Sequence, residues 1–160
     1  MPTGQHTIGA SSDSGLAQGS TNTNATRFKA YLGSAQNGNN TIVKLNIDTA
    51  QYDNNNELDS SAKRFVARTA GWYSVSAALL ITSVQGGQVV LALYTNGVQT
   101  VTFGSSYGPA PVSATGGQVS GSALVLLAAG DYLELWFQAP ATWQVNVGPI
   151  PTWLCVIKQP

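Results

Sequence analysis

The feature that most constrains the fold is a succession of short β-type segments from Ala25 to the end of the sequence. Runs such as TRFKAYLG, TIVKLNID and DYLELWFQA show the two-residue period of a strand. Turn-forming residues separate the runs, as in NGNN at 37–40 and TNG at 95–97. Only ALVLLAA favours a helix by composition, and its flanking glycines favour a strand instead. The pattern predicts roughly eight to ten antiparallel strands in a sandwich, jelly roll or barrel.

The first 24 residues differ in composition from the remainder of the chain. They consist mainly of Gly, Ser, Thr, Asn and Gln, with Ile8 and Leu16 as the bulky apolar side chains. Such a segment cannot bury enough apolar surface to fold alone. We therefore divide the chain into an N-terminal arm, residues 1–24, and a folded domain, residues 25–160. The arm is either a disordered tail or an extended segment that docks on a partner.

The low charge of the chain excludes several classes of partner. Charged residues make up 9% of the sequence, against roughly 25% in a typical soluble domain. Seven basic and seven acidic residues cancel, so there is no basic footprint for nucleic acid or for an anionic membrane surface. No apolar run reaches the roughly 20 residues of a membrane span, and the N-terminus does not resemble a secretory signal. We expect neither nucleic acid nor membrane as a partner.

The sequence offers little catalytic chemistry. GSSYG at 104–108 fits a serine-hydrolase pattern, but that motif needs a strand–turn–helix elbow and a histidine base. The only histidine, His6, lies in the arm, so we interpret Ser106 as a loop serine. The single cysteine, Cys155, has apolar neighbours, which indicates a small buried hydrophobe rather than a catalytic thiol. We expect the protein not to be an enzyme.

A polar segment between two predicted strands is a candidate metal site. Asp53, Asn55, Glu57 and Asp59 alternate there and could offer oxygen ligands to calcium. Leu58 occupies the position at which an EF-hand requires glycine. The segment is therefore interpreted as a solvated loop, and no metal is predicted.

Two further carboxylates lie close together in the sequence. Asp131 and Glu134 are three residues apart on one strand and point to opposite faces, which suits a glycosidase pair poorly. We predict instead that Asp131 accepts backbone hydrogen bonds in the turn after Gly130. Because no phosphate loop, dinucleotide fingerprint or zinc spacing is present, no cofactor is predicted.

Four motifs, in order, resemble those of C1q/TNF-like domains. RFVARTAGWYSVSA resembles the pattern Phe-x-Ala-x-x-x-Gly-x-Tyr-x-Val, and QYDNNNEL resembles the Tyr-Asp loop that precedes it. LYTNG resembles the Asn-Gly hairpin, and GSALVLLAAGDYLELW resembles the Gly-Asp-centred stretch near the end of the domain. The resemblance covers about residues 26–158. The matching positions are Tyr52, Asp53, Phe65, Ala67, Gly71, Tyr73, Val75, Asn96, Gly97, Gly121, Ser122, Leu127, Gly130, Asp131 and Leu135.

The resemblance implies an all-β, antiparallel, ten-stranded jelly-roll sandwich that assembles as a homotrimer. Two departures distinguish this chain from the complement-like and cytokine-like branches. No collagen-like Gly-x-y repeat precedes the domain, and the last strand has Leu-Cys-Val-Ile where aromatic residues are common. The pattern is closer to the short versions found on bacterial spores and phage particles.

The strand in GDYLELWFQAP carries apolar side chains on both faces, which raises the question of what covers the second face. The resemblance implies that the outer face of one sheet meets two symmetry mates. GWYSVSAALL has the same two-sided character, with small residues that permit close approach. We predict a trimer interface at Trp72, Ser74, Ser76, Tyr132 and Trp136. Alternatively, the two tryptophans are isolated surface aromatics or ligand platforms.

The leading functional hypothesis is a non-enzymatic structural protein of a virus particle. It would be a phage capsid decoration or a head or tail fibre protein at the virion surface, docking on capsid or fibre proteins through residues 1–24. The second hypothesis is a receptor- or glycan-binding module in which loop aromatics, Tyr107 and Trp143, stack on a host-surface glycan. An enzyme is the third and least supported interpretation.

Overall fold

The computed structural model describes residues 25–39, 41–83, 87–108, 117–139 and 142–160. The arm at residues 1–24, including His6, lies outside these ranges. Within them the chain forms thirteen strands, and none of its segments is a helix suited to crossing a membrane. The strands are β1 (Arg27–Leu32), β2 (Gln36–Asn39), β3 (Val43–Lys44), β4 (Ile47–Asp53), β5 (Leu58–Asp59), β6 (Arg64–Val66), β7 (Gly71–Ser83), β8 (Gly87–Thr95), β9 (Val98–Gly108), β10 (Gly117–Leu127), β11 (Tyr132–Gln138), β12 (Thr142–Val145) and β13 (Trp153–Lys158).

The strands form two antiparallel sheets that pack face to face. Sheet A has the order β2-β12-β7-β13-β1-β4, with β10 also paired to β7. Sheet B has the order β5-β6-β11-β8-β9, with β3 also paired to β11. This confirms the predicted all-β antiparallel sandwich. The described residues contain more strands than the ten expected, partly because TIVKLNID, predicted as one strand, is divided between β3 and β4.

Strand alternation builds one core between the sheets. On β11, Leu133, Leu135 and Phe137 are buried, as the period of two predicts. Aromatic rings join the two sheets edge to face. The ring centroid of Phe65 on β6 lies 5.1 Å from that of Phe28 on β1 and 5.9 Å from that of Tyr73 on β7. These contacts lie at the favourable separations for aromatic pairs and fix the sheets against one another.

Trp143 also lies in this core, so its prediction as a loop aromatic facing a ligand is wrong. It is on β12 and 1% exposed, and its ring centroid is 4.1 Å from that of Phe137. Val145, two residues along, is buried on the same face. The segment is a short strand with its alternate side chains turned inward, which its position between two polar stretches concealed. The indole Nε1 is buried and has no hydrogen-bond partner among the described residues.

Strand β9 is longer than predicted and changes the interpretation of two residues. The loop expected from about residue 104 is absent up to Gly108, because β9 pairs with β8 as far as Gly108 opposite Gly87. Tyr107 and Ser106 therefore lie on a strand and not in a loop. The GSSYG motif is strand throughout, whereas the hydrolase elbow requires a turn into a helix. The side chain of Tyr107 lies outside the described part, so its role in ligand binding stays a prediction.

The predicted Asn-Gly hairpin joins β8 to β9, and it is tied to the turn before β11. Asn96 and Gly97 have φ of 52° and 79°, the left-handed values that such a hairpin needs. The Asn96 amide donates to Asp131 Oδ1 at 2.8 Å, and Asp131 Oδ2 accepts from the Ala128 N–H at 2.7 Å. These two hydrogen bonds lower the pKa of Asp131. The predicted turn-closing role of Asp131 is confirmed.

Candidate assembly interface

The outer face of sheet A, called the A face from here on, consists of the outward side chains of β1, β7, β10 and β13. Residues directly opposite on antiparallel strands share a face, so the register arranges these side chains in rows. Trp72 on β7 is opposite Leu126 on β10, and Trp153 on β13 is opposite Ala78. Two rows cross all four strands: Lys29–Cys155–Ser76–Ser122 and Arg27–Ile157–Ser74–Leu124.

Large apolar side chains on the A face are exposed in the single chain. Leu124 is 59% exposed, Leu126 63%, Trp72 51% and Ile157 44%. Leu126 and Trp72 are cross-strand neighbours, and Leu124 and Ile157 flank Ser74 in one row. A contiguous apolar patch of this kind marks an interaction surface, whereas single exposed hydrophobic residues do not.

The middle of the A face carries small side chains. Ser76 lies between Cys155 and Ser122, and Ser74 lies between Ile157 and Leu124. Serine side chains allow another chain to approach the sheet closely, while the surrounding leucine and tryptophan side chains supply apolar area. The arrangement suits a protein partner better than a small ligand.

The five predicted interface residues do not form one surface. Trp72, Ser74 and Ser76 lie on the A face, but Tyr132 and Trp136 lie on β11 and face outward from sheet B, on the other side of the sandwich. The alternating patterns of β7 and β11 are alike, and such a pattern does not reveal which sheet a strand joins. The two groups therefore lie on opposite sides of the single chain, and their joint role in a trimer interface stays a prediction.

The sequence interpretation also missed three residues of the A face: Leu124, Leu126 and Ile157. A usable signal was present on β10, because Leu124 and Leu126 alternate with Val125 and Leu127, which are buried. A strand with apolar residues on both faces needs cover on both.

On the outer face of sheet B, called the B face, polar side chains form a network of hydrogen bonds with one another within the same chain. Glu134 is 7% exposed. Its Oε1 accepts from Lys44 Nζ at 3.0 Å, and its Oε2 accepts from Trp136 Nε1 at 3.1 Å. The Tyr94 ring lies against the Trp136 ring, with centroids 5.0 Å apart. Trp136 is therefore half-buried with its donor satisfied, and it needs no partner chain.

Tyr132, at the start of β11, is covered in a similar way. The guanidinium of Arg64 lies 4.4 Å from the centroid of the Tyr132 ring, a cation–π contact. Arg64 Nε also donates to Asp59 Oδ2 at 3.1 Å. The Ala62 N–H, the Ser61 hydroxyl and Arg64 lower the pKa of Asp59 to about 2.

Cys155 faces outward on the A face, so the prediction that it is a buried hydrophobe is wrong. Its neighbours Leu154 and Val156 take the two inward positions of β13, which leaves Cys155 half-buried and without a disulfide partner. Its Sγ lies 3.7 Å from the Tyr52 hydroxyl. Burial, together with the contact to Cys155, raises the pKa of Tyr52.

The acidic segment considered for calcium is instead used to close the turn between β4 and β5. Asp53 Oδ1 accepts from the Glu57 N–H at 2.9 Å, and Asp53 Oδ2 accepts from the Leu58 N–H at 2.8 Å. The Glu57 side chain is fully buried, contrary to the prediction of a solvated loop, and its Oε1 accepts from the Thr26 hydroxyl at 2.7 Å. Burial raises the pKa of Glu57. Three or more metal-ligating side chains do not converge anywhere in the described residues.

Comparison with known proteins identifies the fold. Neither a protein-family model nor a curated protein matches the sequence. Among solved structures, murine APRIL at pH 5.0 is similar with a TM-score of 0.63, 12% identity and coverage of 84% of this chain and 99% of the other. The globular domain of zebrafish complement 1qA has a TM-score of 0.59 and 18% identity, covering 84% of this chain and 96% of the other. Eiger TNF from S. frugiperda has a TM-score of 0.58 and 15% identity, covering 85% and 92%.

These similarities support the resemblance seen in the sequence motifs. The neighbours are C1q/TNF-family jelly-roll domains, and this chain has the same fold. At sequence identities of 12–18%, these similarities show a shared fold and do not show a shared function.

Proposed function

We propose that the protein is a non-enzymatic homotrimeric module that assembles through the A face. The observation that carries the proposal is the exposed apolar patch of Trp72, Leu124 and Leu126 beside a row of serines. The C1q/TNF resemblance implies a trimer, and the A face supplies the apolar area that such an assembly would bury. The B face does not supply it, because its aromatic rings and charges are already engaged within the chain.

The expected energy of this contact is large. Full burial of a Leu or Trp side chain contributes about 1.5–3 kcal/mol. Leu124, Leu126 and Trp72 are 51–63% exposed in the single chain, so each would contribute about 1–2 kcal/mol on burial, and three copies repeat the contact. Part of the gain is offset by the loss of rotational and translational freedom on association. The apolar gain therefore has to exceed this cost for a trimer to form.

Cys155 provides a direct test, because the single cysteine lies on the A face. Its rate of reaction with a thiol reagent should be low in the native protein. In the double variant Leu124→Glu, Leu126→Glu, the rate should rise at least about tenfold as the interface opens. Val98→Glu is the matched control, since Val98 is 69% exposed at the β8–β9 hairpin, away from the A face. Equal rates in all three proteins would contradict assembly through the A face.

The state of the carboxylates supports a role without catalysis. Asp53, Asp59 and Asp131 each accept backbone hydrogen bonds in turns, which commits them to structure. Glu134 is bound to Lys44 and Trp136. Any enzymatic activity claimed for the protein should fall in Asp131→Asn only as far as the folded fraction of the protein falls. A loss of activity without a loss of folded protein would argue for an enzyme.

For the biological role we propose a structural protein at the surface of a virus particle, either a capsid decoration or a fibre protein. Support comes from the low charge of the chain and from the Gly-, Ser- and Thr-rich arm at residues 1–24, which is suited to docking on a capsid or fibre protein. Peptide mass spectrometry of purified particles from the source should detect the chain. Its absence from washed particles that are otherwise complete would exclude the role.

A glycan-binding module is the second candidate, favoured by one feature of the B face. The Tyr94 and Trp136 rings form a half-buried pair on the side opposite the A face, so a trimer leaves it accessible. Aromatic faces of this kind stack on sugar rings. A glycan array should give signals that Trp136→Ala abolishes and that Trp72→Ala retains. An array without signal above background would exclude this candidate.

A further inference from the structure

A cavity of about 620 Å³ opens at the edge of sheet A where β1, β4 and β13 meet. It is lined by Arg27, Tyr52, Asn54 and Ile157. Two of the four lining side chains are large and apolar, Tyr52 and Ile157, which are 45% and 44% exposed, and Arg27 adds a positive charge. A volume of this size is typical of ligand sites and is sufficient for a few side chains.

The Arg27 guanidinium has no hydrogen bond or ion pair with any described residue. Other cations differ in this respect: Lys44 pairs with Glu134, Lys63 with Asp48, and Arg64 with Asp59. A guanidinium at the mouth of an apolar cavity favours an occupant with a carboxylate next to an apolar group.

The carboxylate inventory of the chain identifies that occupant. The sequence has seven acidic residues, and six of them lie in the described ranges. Each of the six accepts a hydrogen bond from its own chain: Asp48, Asp53, Glu57, Asp59, Asp131 and Glu134. Glu57 Oε2 is the carboxylate oxygen that lacks a partner among the described residues, and it is fully buried, so the folded domain of a second copy presents no free side-chain carboxylate to Arg27. The seventh acidic residue is Asp13, in the arm.

The arm also joins the domain beside the cavity. Asn54, which lines the cavity, donates from its amide to the Ala25 carbonyl at 2.7 Å and accepts from the Arg27 N–H at 2.7 Å. Ala25, the first described residue, is thus held by a residue that lines the cavity. Residues 17–24 can span up to about 27 Å, at roughly 3.3–3.6 Å per residue, which is more than enough for the arm to turn back. Leu16, one of the few bulky apolar residues of the arm, lies three positions after Asp13.

We propose that the segment Asp13–Leu16 docks in this cavity on its own chain. The Asp13 carboxylate pairs with the Arg27 guanidinium, and the Leu16 side chain packs between Tyr52 and Ile157. Gly15 permits the turn that directs both side chains to the same cavity. The docked segment covers the outer edge of the A face and fixes the place where residues 1–12 leave the domain. The inference requires neither a trimer nor a particle, and it shares Arg27 and Ile157, at the outer edge of the A face, with the proposed interface.

Limited proteolysis of the full chain tests this docking. Thermolysin cleaves on the N-terminal side of Leu and Ile, so it reports on the arm at Leu16 and, as an internal control, at Ile8. Cleavage before Leu16 should be slower than cleavage before Ile8. Arg27→Glu should accelerate cleavage before Leu16 about two- to fivefold, the effect of a surface ion pair, and leave the Ile8 rate unchanged. Circular dichroism verifies that each variant is folded.

A charge exchange makes the test specific. The double variant Asp13→Arg, Arg27→Glu should restore the slow cleavage before Leu16. Lys29→Glu is the matched control, since Lys29 lies two residues along β1 with its charge over the Trp153 ring, and it should change nothing. Docking is refuted if Arg27→Glu leaves the Leu16 rate unchanged or if the exchange does not restore it. It is also refuted if protection of Leu16 disappears on dilution, which would assign the cavity to a second copy.

Discussion

The two outer faces of the sandwich both carry aromatic side chains, but the chain covers those side chains to different extents. On the B face, Trp136 donates to Glu134 and stacks on Tyr94, so the single chain satisfies its donor and covers part of its ring. On the A face, Trp72 is 51% exposed beside Leu126, which is 63% exposed. The chain covers the aromatic and charged groups of the B face by itself, whereas it leaves large apolar side chains of the A face exposed.

The difference shows that an aromatic side chain on an outward strand position does not by itself indicate an interface. What matters is whether ionic and aromatic neighbours within the chain cover it. Lys44 and Glu134 cover the B face, while the outward positions of β7, β10 and β13 carry no carboxylate and only serine as a polar neighbour at the centre. The exposed apolar side chains of the A face make it the surface at which we expect assembly.

The largest expected effect comes from charging the A face. Leu124→Glu combined with Leu126→Glu should convert the proposed trimer into a monomer, since burial of the exposed part of each leucine contributes about 1–2 kcal/mol per copy and a glutamate would bring a charge into the contact. Sedimentation velocity would measure the change. The corresponding B-face variant, Trp136→Glu, should lower the stability of the chain and leave the trimer intact. A monomer in the B-face variant and a trimer in the A-face variant would reverse the comparison.

A smaller effect is expected from Gly121, which lies on the same strand as Leu124 but faces inward. A Cβ at this position would lie 2.7 Å from the Phe103 carbonyl oxygen and from its Cβ, so the neighbouring backbone would have to move. Gly121→Ala should therefore destabilise the fold by about 1–3 kcal/mol without changing the assembly state. Urea unfolding at fixed protomer concentration measures the loss. Ser122→Ala, one residue further and outward, is the control and should be nearly neutral.

The closed network of the B face should respond to the removal of its central carboxylate. Glu134→Ala leaves the Lys44 ammonium and the Trp136 Nε1–H without their acceptor, at a cost of about 1–3 kcal/mol. Lys63→Ala, which breaks the more exposed pair with Asp48, should cost less than about 1 kcal/mol. Equal losses in the two variants, measured by urea unfolding, would mean that Glu134 is an ordinary surface charge.

The smallest expected effect is a loss of folding stability in acid, which arises from Asp59 on the B-face side of the molecule. The folded pKa of Asp59 is about 2, below the usual value of 3.8, so its contribution to stability is complete above pH 3.8 and is lost as the pH falls towards 2. The Asp59→Asn variant should show a shallower decline over this range in thermal unfolding. Parallel declines in the two proteins would show that Asp59 contributes nothing specific.

Much of the fold could be predicted from the sequence, because local signals determine it. The Asn96–Gly97 hairpin, the turn at Asp131 and the strand character of β10 all follow from residues that are neighbours in sequence. The fold family followed from four motifs in order, and the structural similarity to C1q/TNF domains agrees with them.

The candidate interface could be predicted only in part, since it depends on which strands become neighbours. The alternation in β7 and β11 indicated two-sided strands correctly, but the placement of β7 in sheet A and β11 in sheet B is a matter of long-range pairing. The B-face network shows the same limit, because Lys44 and Glu134 are 90 residues apart in sequence. For Trp143 the local signal itself is weak, because its strand β12 is only four residues long. The sequence therefore did not reveal that Trp143 lies on a strand and faces the core.

Multi-angle light scattering of the native chain at micromolar concentration tests the central claim most directly. The account predicts one species with three times the chain mass of 16.7 kDa, unchanged over a tenfold dilution. A single species of 16.7 kDa across that range, from a folded sample, would contradict it and leave the exposed A face without a function.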